Sequence, residues 1–507
     1  MVFTRGDVSG DVDEIDHNEP GSNIEVVSWD GPRDPGNPYN WSLRQKWTLT
    51  ILASFATFVT MMNGTIITVA HTTINEEFSV SDASFPNSYW PVTSWAMGGG
   101  CFSLLILPLM EDFGVRRVFL LTWLVFVCFV IPQALAQNFA TLIVTRFFAG
   151  GCVAILANTS ATVVGNVWDT EKARNIPVSL YIVAYLTGAS IGPVIGAPIY
   201  QFLSWRWIGY LQLIWYGALF PVYAFMFKEC RGVAILGQRA KALRREGRMA
   251  YTQHEIDSEG TSIWRIVARS ATRPLIMYFT ESVVFFSGMW SAFTVGTLYL
   301  FTQSVEQVFS GLYGWSPSQA GYVQGAIVIG ECIGWVGTLF SGSLYFNSAS
   351  RNTEFPGKPI PEARLYLAII SGVIGLSGGM FVYAWTSYAF LPWIAPAIGL
   401  AMVGAGSVIV VTGISDYVVD AYAKYAGSAV GIIVTGENTF SAFLPLAAMS
   451  MYSHLGFQWA STLLALISLA LSLAPILFVV YGKEIRARSP FMKEAMLDMR
   501  RKSISSV

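Results

Sequence analysis

Twelve long apolar stretches divide this 507-residue chain. A helix needs about 20 apolar residues to cross roughly 30 Å of hydrocarbon, and each stretch reaches that length. They lie at 47–69, 87–109, 118–137, 142–164, 176–200, 206–227, 274–302, 319–342, 363–386, 391–414, 426–451 and 457–481. Six stretches precede and six follow a hydrophilic interval at 228–273, which predicts an all-α integral membrane protein with twelve transmembrane helices in two bundles.

The low charge content excludes several other classes of protein. Only 12% of the residues are charged and mean hydropathy is +0.49, whereas soluble globular proteins carry about 25% charged residues. A soluble enzyme, a disordered chain and a secreted disulfide scaffold are therefore excluded. The 31 basic and 32 acidic residues nearly cancel, which favours no nucleic-acid partner. The five cysteines have no metal-binding spacing, so we expect no metal and no cofactor.

The positions of lysine and arginine predict the orientation in the bilayer. If the twelve stretches cross in turn, 29 of the 31 basic residues fall on one side, which the positive-inside rule assigns to the cytoplasm. The expected organisation is a cytoplasmic tail at 1–46, a bundle at 47–227, a cytoplasmic loop at 228–273, a second bundle at 274–481 and a cytoplasmic tail at 482–507. The acidic N-terminus has no signal-peptide pattern, so the first span is expected to direct insertion. A plasma-membrane location is expected, with the vacuolar membrane as the alternative.

Four charged residues lie well inside the predicted spans, away from their ends, where each costs at least about 2.5–3.5 kcal/mol. They are Arg146, Glu281, Glu331 and Glu437. A carboxyl group in a dry cavity can carry a proton at neutral pH, which is the chemistry of a proton-coupled carrier. Alternatively, each glutamate hydrogen-bonds a neighbouring helix or reaches water, and Arg146 tethers backbone carbonyls.

Polar and aromatic residues near these charges are candidates for binding an organic substrate. They are Asn63, Tyr89, Asn158, Tyr185, Trp290, Gln324 and Asn438. Amide groups can hydrogen-bond a substrate and aromatic rings can stack on it, although single aromatics in spans also serve as packing groups or interfacial anchors.

The fifth stretch contains Gly188, Gly192 and Gly196, four residues apart, together with Pro193 and Pro198. Glycines at this spacing let two helices approach closely, and proline bends a helix by removing a backbone hydrogen bond. We therefore predict a tight, kinked helix contact that could act as a gate, or could serve packing alone.

Eight short segments resemble, in order and spacing, the fungal twelve-span drug:proton antiporters of the major facilitator superfamily. They are Asn37–Ser42, Pro108–Arg117, Arg146–Gly151, Gly188–Pro198, Trp205–Trp207, Glu229–Gly232 followed by Arg239 and Ala240, Tyr417–Tyr422 and Phe443–Leu446. The resemblance covers nearly the whole chain after about residue 35.

This resemblance implies a monomeric carrier in the lipid bilayer with two pseudo-symmetric six-helix bundles that rock to give alternating access. It implies proton coupling at Arg146. It also implies a gate formed by Glu111 or Asp112, by Arg116 and Arg117, and by Asp169.

Two departures from the family pattern bear on these roles. Leu107 and Val115 stand where the gating segment usually has glycine and arginine, which displaces its arginine pair by one position. Glu437 lies in a stretch that often carries an arginine, which hints at a cationic or neutral substrate.

Export of a small organic molecule in exchange for protons is therefore the expected function. An uncoupled facilitator, or an importer of a nutrient or organic acid, is the alternative, since no residue fixes the direction of transport. A non-transporting sensor is more distant because a 46-residue loop leaves no room for a signalling domain. An intramembrane enzyme is disfavoured because the spans contain no Ser/His pair or metal cluster.

Overall fold

The computed structural model describes residues 25–82, 86–106, 114–257, 263–352 and 357–494. Two residues of the predicted gate, Glu111 and Asp112, lie outside these ranges.

Six long helices form the N-terminal half. Span 1 is Leu43–Thr65, span 2 Trp90–Ile106, span 3 Val115–Ala134, span 4 Phe139–Val167, span 5 Glu171–Phe202 and span 6 Arg206–Met226. A turn at Thr68–Ala70 and a short helix at His71–Glu77 follow span 1. Local hydrogen bonds begin the helices before and at span 1: Asn37 caps Pro38–Asn40, and Ser42 forms a reciprocal capping box with Gln45 at the start of span 1.

The C-terminal half contains six further crossings. Span 7 is Ser282–Tyr313, span 8 comprises Pro317–Val323 and Gly325–Asn347, span 9 comprises Leu365–Ile370, a π-helical turn at Ser371–Ser377 and Gly378–Thr386, and span 10 is Ile394–Tyr422. Spans 11 and 12 follow without a long loop: the segment Ala426–Leu471 reverses at Gly456, whose φ of +77° suits glycine, and Leu473–Arg488 continues span 12.

Ten helical segments in the described ranges are long and apolar enough to cross a membrane. One of them, 426–488, contains both spans 11 and 12, and span 2 is not among the ten because only 17 of its residues are described. The prediction of twelve transmembrane helices is thus confirmed.

The packing of the helices divides the molecule into two related halves. Span 4 contacts spans 1, 2 and 3 in the first half, and span 10 contacts spans 7, 8 and 9 in the second. The halves meet where span 2 packs on span 11 and where span 5 packs on span 8. Each of these contacts joins the second helix of one half to the fifth helix of the other, which confirms the pseudo-symmetric arrangement.

Span 7 begins later than the sequence predicts. The apolar run from residue 274 belongs to a separate helix, Ile263–Thr280, and the chain leaves helical geometry at Glu281 (φ −104°, ψ 105°) before span 7 starts at Ser282. The separate helix is amphipathic, and hydropathy averaged along the chain does not separate its apolar face from the start of a span.

The N-terminal segment docks on the central loop through a structure that we call the clasp. Strand Glu25–Val27 pairs in parallel with strand Ala250–Thr252, and Asp34 binds Arg239 of the loop helix Gly232–Arg245 through two hydrogen bonds of 2.6 and 2.9 Å. These hydrogen bonds hold the pKa of Asp34 well below its usual range. The clasp therefore ties the segment before span 1 to the loop after span 6.

Candidate functional site

A cavity of about 760 Å³ opens between the two halves on one face of the molecule. The clasp, the central loop and the C-terminal end of span 12 lie on this face. We call it the basic face, because the lysine and arginine residues are predicted to collect on this side. The cavity walls come from the ends of spans 4, 5, 10 and 11 and include Asn158, Thr162, Asn175, Tyr181, Asp416 and Gly431. One predicted substrate-binding residue, Asn158, is thus at the cavity surface.

The opposite face is closed by contacts between the halves. The Thr93 hydroxyl of span 2 donates to the Ala442 carbonyl of span 11 at 2.8 Å. Gly321 of span 8 lies so close to Ala197 and to the Pro193 carbonyl of span 5 that a Cβ there would approach both within 3.0 Å. In the described part of the chain, the structure is therefore open on the basic face and closed on the opposite one.

The three glycines of span 5 pack against span 1 within the N-terminal half. A Cβ at Gly188 would lie 2.6 Å from the Phe58 carbonyl, and one at Gly192 would overlap Thr65. The Thr65 hydroxyl also donates to the Ala189 carbonyl at 2.5 Å. Gly196 meets Ile66 in the same way. The three glycines thus lie where span 5 approaches span 1 closely.

Arg146 is buried and joins three helices. Its Nε donates to the Pro91 carbonyl at 2.6 Å and its Nη2 to the Gly64 carbonyl at 2.5 Å, while the structure records no ion pair for it among the described residues. Nearby, Asn63 donates to Gln212 at 2.6 Å and accepts from the Trp95 indole at 3.0 Å. Arg146 is thus a buried cation held by backbone carbonyls beside a polar cluster.

Glu437 is buried where span 11 meets span 7. The Ser291 hydroxyl donates to its Oε1 at 2.5 Å. Tyr185 of span 5 lies close enough to Glu437 for an electrostatic interaction, and Tyr299 of span 7 lies within such reach of both Glu437 and Arg146. Tyr185 and Tyr299 thus each interact electrostatically with Glu437, and Tyr299 also interacts with Arg146.

Asn438, the residue after Glu437, faces the other half. Its side chain packs against Gly99 and Gly100 of span 2, and its amide donates to the Val434 carbonyl at 2.9 Å. One turn towards the basic face, the hydroxyl groups of Thr435 and Ser103 are 3.3 Å apart. Asn438 thus lies in the contact between spans 2 and 11.

Glu331 is fully buried in the contact between spans 5 and 8. The Ser190 hydroxyl of span 5 donates to its Oε1 at 2.7 Å, and its Oε2 has no hydrogen-bond partner within the described part of the chain. Gln324, two turns earlier on span 8, donates to the Thr302 carbonyl at 3.2 Å. Glu331 therefore hydrogen-bonds the opposite half through a residue of the glycine-rich segment.

Glu281 and Trp290 are among the predicted site residues that do not line the cavity. Glu281 accepts hydrogen bonds from Tyr422 at 3.0 Å and from Ser489 at 2.6 Å, which ties the start of span 7 to the ends of spans 10 and 12 at the basic face. Trp290 packs against span 9 at Gly372 inside the C-terminal half. Glu281 is predicted inside span 7, but span 7 starts later than predicted, so this residue lies at a helix end.

Tyr89 is also buried, but near the closed face, where its ring lies 5.8 Å from the imidazole of His71.

The predicted gating residues have other partners in this open conformation. Arg116 donates to the Ala224 carbonyl at 2.8 Å, Arg117 is exposed, and the Asp169 carboxylate accepts from the Thr170 backbone at 2.8 Å. At the start of span 3, Glu229 instead accepts the backbone N–H groups of Val115 and Arg116, as favoured at a helix N-terminus.

A buried ionic cluster at the basic face was not predicted. Arg364 binds Asp416 at 3.1 Å and Asp420 at 3.0 Å, and it also donates to Asn175 of the other half at 2.9 Å. Asp420 belongs to the segment Tyr417–Tyr422 singled out above, whereas Asp416 lies just beyond the predicted end of the tenth stretch. Arg364 falls at the start of the ninth stretch, where it counts as a loop charge.

Known proteins resemble this chain in sequence and in fold. A family model described as Major Facilitator Superfamily matches residues 53–444. "MFS transporter cpaT" of Aspergillus oryzae is 32% identical over 92% of this chain and 93% of its own length, and "MFS-type efflux pump MFS2" of Trichophyton rubrum is 30% identical over 95% and 80%.

A solved structure shares the fold at low sequence identity. The proton:xylose symporter XylE superimposes with a TM-score of 0.62 at 15% identity, over 87% of this chain and 97% of that one. The resemblance to fungal transporters drawn from the sequence motifs is confirmed. The chain therefore belongs to the major facilitator superfamily and is a multi-pass membrane transporter, not an enzyme.

Proposed function

We propose that this transporter exports a small organic molecule and exchanges it for protons by alternating access. The observation that carries the proposal is the pair of buried carboxyl groups, Glu331 and Glu437, each with one serine hydroxyl as its donor. Neither forms an ion pair with a described residue. A protonated carboxyl group is easier to bury than a carboxylate, so both groups are suited to taking up and releasing protons as their burial changes.

The cavity on the basic face is suited to capturing the substrate. Its volume of about 760 Å³ lies within the range of about 300–1,000 Å³ that is usual for small-molecule sites. Asn158 lies on its wall, and Tyr185 and Asn438 lie deeper towards Glu437. The carboxyl group of Glu437 favours a neutral or cationic molecule. Asn63, Tyr89 and Gln324 would contact the substrate only after the interior rearranges.

The basic face is proposed to be the cytoplasmic face, from which an exporter would take up its substrate. The positive-inside rule supports a cytoplasmic location for this face and for both termini, and the plasma membrane is the proposed location. The names of the fungal relatives, which include an efflux pump, support export. When the basic face closes, Arg116, Arg117 and Asp169 would form the latch, with Arg146 holding the helices that flank the site.

Transport into and out of proteoliposomes tests the proposal. A panel of cationic, neutral and anionic organic molecules would be offered with and without an imposed pH gradient. We expect accumulation that collapses on addition of a protonophore, together with a preference for neutral or cationic molecules. Equilibration that ignores the gradient would instead identify an uncoupled facilitator.

A further inference from the structure

A histidine and a glutamate face each other across the closed side of the molecule. Nδ1 of His71, just after span 1, lies 3.5 Å from Oε2 of Glu306 on span 7. Their side chains are only 16% and 15% exposed. The pair therefore joins the N-terminal half to the C-terminal half and is mostly removed from solvent while this face is closed.

The imidazole is held in place by groups of its own half. Its Nδ1 also lies 2.9 Å from the Thr68 carbonyl, and its ring packs on Tyr89. Since Nδ1 is close to two oxygen acceptors, it carries a hydrogen and donates. A cavity of about 10 Å³, bounded in part by Thr68, Ser88 and Tyr89, reaches the ring.

Other polar groups place the pair at one end of a row along span 7. Tyr299, Gln303 and Glu306 follow each other at intervals of four and three residues, so they share one face of the helix. Tyr299 lies within electrostatic reach of Arg146. Gln303 is buried, and neither of its amide atoms has a hydrogen-bond partner within the described ranges. A row of polar groups therefore runs from the closed face towards the interior site.

The neighbouring elements offer few other titratable groups to the pair. Tyr89, just before span 2, interacts electrostatically with Glu306 and with Asp82 of the preceding loop. Asp82 itself accepts from the Ser88 backbone at 2.8 Å. From span 5, Tyr200 is 2.6 Å from the Thr73 hydroxyl. Span 8 contributes Tyr322, which hydrogen-bonds Gln201 at 3.3 Å.

Closure of this face has a defined proton requirement. A neutral histidine beside a carboxylate leaves one uncompensated negative charge in a region of low dielectric constant. If both groups are protonated, the pair instead carries one positive charge. One shared proton gives either an ion pair or a neutral pair, with no net charge to bury. We propose that His71 and Glu306 form a proton-binding site at which uptake of one proton from the outer solution permits the outer face to close. This inference rests on the proposed proton-coupled export.

Cross-linking across the outer face tests the site without any substrate. Cysteines would replace Gln201 and Tyr322, which contact each other across the two halves, in a parent whose five native cysteines are changed to alanine and which retains transport. The yield of a short bifunctional reagent would be measured against pH in proteoliposomes. We expect the yield to rise severalfold as the pH is lowered from alkaline values, because closure requires the uptake of one proton by the pair.

The two single substitutions should change this profile in opposite directions. In Glu306→Gln, no carboxylate needs neutralising, so closure should be high at alkaline pH and decrease when His71 is protonated. In His71→Gln, the carboxylate itself must be protonated, so the rise should move to lower pH. Glu77→Gln is a matched control, because Glu77 pairs with Arg206 on the same face but within one half. His454→Gln is a second control, because the hydrogen bonds of His454 to described residues lie within its own helix, at Ser450 and Ser453.

The outcomes separate this site from the proposed function. A flat profile in the parent, or an unchanged profile in both variants, would overturn the site even if transport proves proton-driven. A proton-dependent profile that shifts as expected would support the site even if the transporter proves to be uncoupled. Size-exclusion profiles of each variant show whether it is folded, and either variant alone suffices for the comparison.

Discussion

At the scale of single residues, the two buried carboxyl groups differ in which half supplies their donor. Ser291 donates to Glu437 from within the same half, so that hydrogen bond can persist when the halves move. Ser190 donates to Glu331 from the opposite half, so that hydrogen bond must break if spans 5 and 8 separate. Glu331 is therefore suited to sensing the relative position of the halves, and Glu437 to holding a proton near the substrate.

Replacing Glu437 by glutamine tests this division. Glu437→Gln preserves the shape of the side chain and can still accept from Ser291, but it cannot ionise. We expect accumulation driven by a pH gradient to be abolished, since a neutral amide cannot take up or release the coupled proton. Transport would be measured in proteoliposomes. Glu281→Gln is the control, because Glu281 lies at the basic face. Unchanged proton dependence in Glu437→Gln would contradict the proposed role of Glu437 in proton coupling.

The ion pair of the clasp has a predictable dependence on pH. Hydrogen bonds from Arg239 depress the pKa of Asp34 in the folded protein, so the ionised form stabilises docking. That stabilisation is complete above the unfolded pKa of about 3.9 and is lost as the pH falls through the lower folded value. Docking of the N-terminal segment should therefore be constant between about pH 5 and pH 8.

Asp34→Asn should loosen the clasp throughout that pH range. Hydrogen exchange of the amides in Ala250–Thr252 would be the measurement, with a rate increase of about tenfold expected for a lost charged hydrogen bond. Asp30→Asn is a matched control, because Asp30 is 3.6 Å from the same arginine but its side chain is 88% exposed. Equal effects of the two substitutions would show that the buried geometry of Asp34 does not matter.

At the scale of elements, span 5 depends on glycine because span 1 fills the space where side chains would lie. Gly192→Ala places a methyl group against Thr65, and overpacking of this kind costs about 1–3 kcal/mol. We expect a lower midpoint of thermal unfolding in detergent. Gly217→Ala in span 6 is the control, since nothing lies within 4 Å of the added group there. Equal melting temperatures for the two variants would argue against the close contact.

The sequence predicts the elements best where one physical constraint decides them. Eleven of the twelve stretches correspond closely to observed spans because a run of apolar residues has no alternative to burial in lipid or protein. Span 7 is the exception. An amphipathic helix at Ile263–Thr280 adds an apolar run before it, so Glu281 is predicted inside the membrane while Glu306 falls outside the predicted span.

The site is only partly predictable because pairing depends on tertiary structure. Arg146 and Glu437 stand out in the sequence because charges in apolar runs are costly. Arg364 does not stand out in the sequence, since its partners Asp416 and Asp420 lie more than 50 residues away in the chain. Its third partner, Asn175, belongs to the other half. Asp34 is likewise one of several acidic residues before span 1, and its burial against Arg239 appears only in the folded clasp.

At the scale of the whole molecule, the open cavity predicts which side of the membrane reaches the interior. A cysteine at Thr162, on the cavity wall, should react with a membrane-impermeant maleimide in inside-out vesicles and remain unmodified in right-side-out vesicles. A cysteine at Thr93, in the closed contact with Ala442, should be protected in both. Faster labelling of position 162 from the outside would contradict the proposed orientation.

The clasp also links the two ends of the N-terminal half, the segment before span 1 and the loop after span 6. All described contacts of the clasp join residues before position 258. A chain interrupted after Asp257 would therefore keep every one of these contacts in a single fragment. Residues 1–257 and 258–507, produced as two polypeptides in the same cell, should co-purify and restore transport. An interruption after Gly247 would place strand Ala250–Thr252 on the other fragment, and a lower recovery is expected. The transporter would then serve as a split reporter, whose signal depends on the reunion of two folded halves.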